Sequence, residues 1–328
     1  MSRAQLTSTV EQNTGGAVSP WVGGKNFAAN GGFDWWQRGT SFSSSGVYSA
    51  DRWYFTYGGT VTASQETSII PTGATYAAKL LTGASSSFGE LYNALESLEV
   101  NRLAGQTITV SGYVRAGSGY TGSAVIAIQT NTTANTQTGG TWTEQTYATQ
   151  TPSTFAYTRF SVTYAVPAGT AGLRIRLGNT STQSSGVALY WGNIQIEIGS
   201  IATPFSRAAG TLQGELALCQ RYYEKSYDLA TAPGTAVNST FTTTSAATTS
   251  YIYGFVPYKV TKRTTPTVLI WDAGGNANAT TRGLLGNANS NNQNGAVDIQ
   301  SMTGFTWLSA GSTNANIAFI HFAASAEL

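Results

Sequence analysis

Residues able to act as acids, bases or nucleophiles are scarce in this chain. Among 328 residues there is one histidine, His321, and one cysteine, Cys219. His321 sits in the apolar run Ile317-Ala318-Phe319-Ile320-His321-Phe322, where a packed core or interface histidine is expected rather than a base. There is no cysteine pair, histidine cluster or His-Glu-x-x-His run to hold zinc. The glycine pairs at 15–16, 23–24 and 274–275 lack a following Lys-Ser/Thr and a helix start, so they read as turns rather than phosphate cradles. Glycan hydrolysis needs only two carboxyl groups about 5–10 Å apart, and Asp51, Glu90, Glu96 and Glu99 are the candidates for it. Glu90, Glu96 and Glu99 read instead as solvated charges on a short helical turn or loop over residues 91–100. The aromatic cluster Trp35, Trp36, Trp53 and Tyr54 is the candidate ligand-binding set, because flat rings beside polar groups suit the apolar faces of sugars. Trp35 and Trp36 are neighbours and would face opposite ways on a strand, so at least one belongs to the core. Arg38 is expected to pair with Asp34 or Asp51 and fix the turn that opens this region. The chemistry expected is binding without bond cleavage, and the chain is expected not to be an enzyme.

Composition agrees with that expectation. Asp, Glu, Lys and Arg make up 10% of the chain, against about 25% in an ordinary soluble domain, and Gly, Ser, Thr and Asn take their place. The net charge of +2 gives no field of one sign, so neither nucleic acid nor anionic lipid is expected as a partner. A hydrophobic fraction of 41% with 12% aromatics excludes wholesale disorder, and the abundant Thr, Val, Ile, Tyr and Trp favour strands. One cysteine forms no internal disulfide. Residues 1–20 are polar, without the apolar run of a signal peptide, and no stretch of about 18 apolar residues occurs, so no membrane insertion is expected.

The elements that must position these groups are strands. The fold class expected is all-β: an N-terminal docking arm over 1–26, a jelly-roll β-sandwich over 27–208, a short linking helix over 209–226 and a second β-sandwich over 227–328. The arm carries few large apolar groups and needs a partner to become ordered. Ile108, Val110 and Val114 alternate with polar residues, as do Phe160, Val162, Tyr164 and Val166. Leu173, Ile175 and Leu177 point one way while Arg174 and Arg176 point the other, which marks a strand with one wet face. Val187, Leu189 and Trp191 hold odd positions, whereas Ile194, Ile196 and Ile198 hold even ones. A β-bulge near Gly192 and Asn193 would return both halves to one core. Leu212, Leu216, Cys219 and Tyr223 recur at helical spacing, with Cys219 a small packed hydrophobe on the stripe. Residues 274–295, rich in Gly and Asn, read as a long loop, and 317–322 as one strand apolar on both faces.

The phrase Asn30-Gly31-Gly32-Phe33-Asp34-Trp35-Trp36-Gln37-Arg38-Gly39, followed by Tyr48-Ser49-Ala50-Asp51-Arg52-Trp53, resembles the opening of a domain of phage tail-fibre and other virion structural proteins. Trp191-Gly192-Asn193-Ile194-Gln195-Ile196-Glu197 is similar to that domain's closing strand. Residues 199–205, 215–223, Arg263 with Pro266-Thr267-Val268, and Ala326-Glu327-Leu328 continue the likeness, which covers roughly residues 26–328. The resemblance implies a jelly roll similar to carbohydrate-binding modules on a multimeric virion-surface protein. The expected function is that of a non-enzymatic tail fibre or fibre-like structural protein binding a host glycan or receptor. A capsid (head) decoration protein and a glycan-depolymerase tailspike are the alternatives. The partners expected are other virion proteins through the N-terminal arm, further copies of the chain as a homo-oligomer such as a trimer, and a host surface glycan. The location expected is the virion, assembled in the host bacterial cytoplasm. No cofactor is expected, but jelly rolls of this kind often hold a structural calcium. Asp34 and Glu197 stand where its ligands could come from.

Overall fold

The structure is a computed structural model describing residues 24–84, 87–237, 243–245, 251–283, 290–310 and 317–328. The docking arm expected over 1–26 therefore lies, for residues 1–23, outside the described residues. Beyond it, the chain is almost entirely antiparallel β. Two six-stranded sheets face each other across the first core. One runs in the order β1 (Ser41–Phe42), β4 (Val61–Glu66), β5 (Ala77–Thr82), β12 (Ala188–Ile198), β7 (Thr107–Ala116), β10 (Thr158–Ala165). The other runs β2 (Val47–Tyr48), β3 (Tyr54–Gly58), β6 (Phe88–Ala94), β11 (Gly172–Asn179), β8 (Ala124–Asn131), β9 (Thr143–Gln150). Of the eleven successive strand pairs from β1 to β12, eight cross between the sheets and three, β2–β3, β4–β5 and β8–β9, are hairpins within one, an alternation in keeping with a jelly roll.

Alternation places the core. Ile108, Val110 and Val114 from one sheet meet Leu173, Ile175 and Leu177 from the other, all fully buried. On β12 the predicted bulge is present. Its register against β7 shifts between Gly192 and Gln195, and Asn193 takes a left-handed φ of 52°. Leu189 and Trp191 before the shift and Ile194 and Ile196 after it all reach the same core. The extra residue thus converts two opposed phases into one buried face.

A second core lies between a three-stranded sheet, β13 (Tyr223–Lys225), β21 (His321–Ser325), β16 (Thr267–Trp271), and a six-stranded sheet. The latter runs β14 (Thr243–Ser245), β20 (Ile317–Phe319), β17 (Ala279–Gly283), β18 (Ser290–Gln300), β19 (Gly304–Ala310), β15 (Tyr251–Pro257). Two sequence expectations change here. Residues 274–295 contain β17 and the start of β18, because Asn and Gly tolerated in a paired strand carry no apolar phase to announce it. The run 317–322 is two strands: the chain leaves one sheet after Phe319 and enters the other at His321, so both of its faces find a core.

Two helices occur among the described residues. The first, α1 (Ser97–Leu103), follows directly on β6, and Glu99 accepts the backbone N–H of Glu96 at 3.0 Å to close its first turn. The second, α2 (Leu212–Gln220), is capped by Thr211, whose hydroxyl accepts from Gly214 N–H at 3.0 Å. It is shorter than the 209–226 expected, since Tyr223 already belongs to β13. Cys219 is fully buried on it, as its place on the stripe predicts. Both ends of α2 are tied to the jelly roll. Glu215 accepts the backbone N–H of Asn30, Arg207 pairs with Asp34, and Arg221 grips Glu96 with two bonds of 3.0 Å.

A candidate glycan-binding sheet face

The outer face of the second sheet gathers groups suited to sugar. Strand register sets one row across all six strands: Tyr48 lies opposite Tyr54, Tyr54 opposite Tyr92, Tyr92 opposite Arg176, Arg176 opposite Ala127 and Ala127 opposite Tyr147. The next row holds Ala94, Arg174, Gln129 and Glu144. Because directly paired residues project to the same side, these form one surface. Its inward neighbours Phe55, Leu91, Ile175, Leu177, Ile126 and Ile128 belong to the core.

Ion pairs hold this face rigid. Arg176 binds Glu90 at 2.9 Å through Nη1 and Glu144 at 2.7 Å through Nη2, and the Tyr92 hydroxyl donates to Glu90 at 2.6 Å. The Arg174 guanidinium carbon lies 4.3 Å from the rings of both Tyr92 and Trp142. Its Nε donates to Gln129 Oε1 and its Nη1 to the Gln137 carbonyl, each at 2.7 Å. Burial lowers the Arg174 pKa to about 10, and lifts that of the Tyr92 hydroxyl well above the ordinary phenol range with Glu90 adding to the shift. The result is a surface of ring faces, fixed carboxylate oxygens, amides and guanidinium N–H groups. It can stack a pyranose and hydrogen-bond its hydroxyls.

The four aromatic candidates are divided by the fold. Tyr54 lies on this face, half-buried and edge-on to Tyr48 at 5.3 Å. Trp53, one position earlier, is fully buried and donates its Nε1–H to the Asn30 carbonyl at 3.0 Å. It has no face for a ligand and is a core residue. Trp36 is likewise interior, 4% exposed, with Nε1–H bonded to the Phe33 carbonyl at 2.8 Å. Trp35 is half-buried and lines a separate cavity of about 240 Å³ with Trp36, Tyr76, Leu212 and Leu229. The sequence reading missed Tyr92, Glu90 as a face residue, Trp142, Glu144 and Tyr147. The signal available for them was the polar phase of Arg174 and Arg176.

Asp34 and Glu197 do not make a calcium site. Asp34 gives its two oxygens to Arg207 at 2.8 and 3.0 Å. Glu197 accepts from Gln195 Nε2 at 2.7 Å and from the Thr203 backbone at 2.9 Å, with Lys25 Nζ 3.9 Å away. Each carboxylate is therefore already met by donors and a cation. No cluster of three or more His, Cys, Asp or Glu suited to a metal occurs among the described residues.

The carboxylates considered for hydrolysis each have partners: Glu90 is held by Arg176, and Glu96 and Glu99 close one turn of α1 together. Glu96 is not solvated: it is buried and paired with Arg221. Asp51 is 1% exposed, accepts two bonds from Gln37 and lies 3.5 Å from Arg38, the ion pair expected for the opening turn. Burial outweighs these partners and pushes the Asp51 carboxyl up to about 6, from an ordinary 3.8. A carboxyl raised in the folded state favours folding fully below its unfolded pKa and loses that contribution as pH rises through the folded one. The contribution of Asp51 should thus fall between about pH 4 and 6, by at most roughly 3 kcal/mol. Urea unfolding of wild type and Asp51→Asn across pH 4–7 (about the range of the titration) checks this. The stability difference between them should change with pH, and a constant difference would contradict the assignment.

No family model matches the chain. No curated protein does either. Among solved structures, similarity is found to the enzymatically active domain of bacteriophage CBA120 tailspike protein 4, with 12% identity and a TM-score of 0.37. That match covers 53% of this chain and 22% of the tailspike chain, so this chain spans under a quarter of it. The carbohydrate-binding module TmCBM61, solved with β-1,4-galactotriose, matches at 13% identity and TM-score 0.34, over 53% of this chain and 99% of the module. The CBM22-1 xylan-binding domain from Paenibacillus barcinonensis Xyn10C matches at 12% and 0.33, over 50% and 94%.

Proposed function

We propose that this chain is a non-enzymatic bacteriophage virion-surface protein, a tail fibre or fibre-like protein, that binds host glycan on the outer face of its second sheet. The observation carrying this reading is the row Tyr48, Tyr54, Tyr92, Arg176, Ala127 and Tyr147, flanked by Glu90, Glu144 and Gln129. The virion setting is supported by the sequence phrases around Asn30–Arg38 and Trp191–Glu197. Binding rather than cleavage is supported by the position of Arg176. It sits between Glu90 and Glu144 and holds both, where a glycosidic bond and its attacking water would need to be.

Assembly as a homo-oligomer fits strand β15. Among the described residues it is an edge strand, and Tyr251, Tyr253 and Phe255 project from it 44%, 54% and 56% exposed. An edge with unpaired backbone and a stripe of rings is a surface that soluble monomers usually cover.

Tyr54→Ala should weaken binding of purified protein to host surface polysaccharide by about tenfold while leaving the fold intact. Isothermal titration read beside circular dichroism measures both. Unchanged affinity would remove the sheet face from consideration, and reducing sugar released during the incubation would favour a depolymerase. Electron-microscopy reconstruction of the particle tests location and copy number together; absence of the chain from the particle would end the virion reading.

A further inference from the structure

The two arginines of the sheet face are not equivalent. Arg176 is neutralised by Glu90 and Glu144, whereas Arg174 has no carboxylate within ion-pair distance among the described residues. Arg174 Nε and Nη1 are engaged by Gln129 and Gln137, and no protein acceptor among the described residues meets Nη2, which remains in contact with solvent. Two rings and two hydrogen bonds therefore fix the guanidinium in place with one edge free. Residues that hold it carry further unmet polar atoms. Gln137, 1% exposed, has neither carboxamide atom bonded, and Trp142 Nε1 is likewise buried without a partner. A half-buried charge of this kind is costly unless an anion completes it, and the low pKa of Arg174 expresses the same deficit.

We propose that the glycan bound on this face is anionic, and that the free edge of Arg174 receives the carboxylate of a uronic or other acidic sugar residue. The assignment rests on the reading of the sheet face as a glycan site and names its ligand class. A carboxylate is favoured over a sulfate because it is planar and meets a guanidinium edge in its own plane. The rings and amides already hold that edge in position, so little freedom is lost on binding. Neighbouring Glu90 and Glu144 remain with Arg176, and are available to the hydroxyls of the same sugar.

The test uses the full chain against polygalacturonate, alginate, hyaluronan and polysialic acid, each paired with its neutral methyl-esterified or carboxyl-reduced form. Dextran sulfate and dextran serve as the sulfate pair. At least one carboxylated polymer should bind about tenfold or more tightly than its neutral form, and the preference should shrink as salt is raised. Arg174→Gln should remove that preference, bringing the ratio of acid to neutral affinity to about one, each read against the same variant's own affinity for the neutral form. Arg174→Lys, which keeps the charge without the planar edge, should recover part of it. If a glutamine at this position prevents folding, the ratio of acid to neutral form on the unmodified protein still decides. Equal binding of acid and neutral forms, or preference for the sulfated polymer alone, overturns the assignment and leaves the glycan site standing. Binding of none of them overturns both.

Discussion

Gly31→Ala is expected to destabilise the protein by about 3 kcal/mol, far more than a surface glycine would cost. A Cβ built on Gly31 would stand 2.1 Å from the Ile194 carbonyl oxygen. That oxygen is backbone of the bulged strand β12 and cannot rotate away. It also accepts Asn26 Nδ2 at 3.0 Å, while the Gly31 carbonyl accepts Ile194 N–H at 2.8 Å. Room for a methyl group comes only by separating the opening turn from the strand that closes the sandwich. The urea midpoint should fall with little change in the slope. An unaltered midpoint would mean that the turn is free to retreat and that the close approach stabilises nothing.

The second large effect is expected at Glu327. Its carboxylate pairs with Arg52 and, at 3.0 Å, with Arg38. Arg52 is 2% exposed, stacks 3.6 Å over Tyr222 and donates Nη2 to the Ala94 carbonyl. Glu327→Gln leaves this guanidinium buried without its anion, a change that typically costs about 3–5 kcal/mol. Arg38 keeps Asp51, so the loss falls mainly on Arg52. A Glu327→Gln variant melting with the wild type would show that Arg52 finds another partner. In the companion variant Arg52→Met with Glu327→Gln, both charges are gone, and much of the stability should return.

What could be read from the sequence was phase. The bulge at Gly192 and Asn193 was visible because Trp191 and Ile194 lie on the wrong parity for one strand, and only an inserted residue repairs that. Arg174 and Arg176 announced a wet face for the same reason. Parity also explains Trp53 and Tyr54: Trp53 shares its side of the chain with the buried Phe55, so Tyr54 alone could face out. The membership of the sheet face was not legible. Tyr92 meets Arg176, and Ala127 meets Tyr147, through pairings between distant parts of the chain, and no local pattern states which strand lies beside which. Within the opening phrase, Trp36 and Asp34 serve the fold rather than a ligand. The unusual residues of that phrase are needed for construction, with Asn30 bonding to Trp35 and Asp51, Asp34 to Arg207 and Gly31 to β12.

The few charges of this chain are largely turned inward. Arg38, Arg52, Asp51 and Glu327 lie in one buried cluster, Lys262 with Glu224 in another, and Glu96, Glu197 and Asp34 are each covered at their partners. Among the described residues few charges are exposed, Glu144, Asp228 and Lys259 among them, and most polar groups outside are hydroxyls and amides, which have no reach beyond contact. In colloidal terms, an object coated with this protein would drift slowly in an electric field and carry almost no ionic double layer of its own. Such an object would approach a charged surface without a repulsive barrier and without being drawn in, so that adhesion is decided only once the surfaces touch.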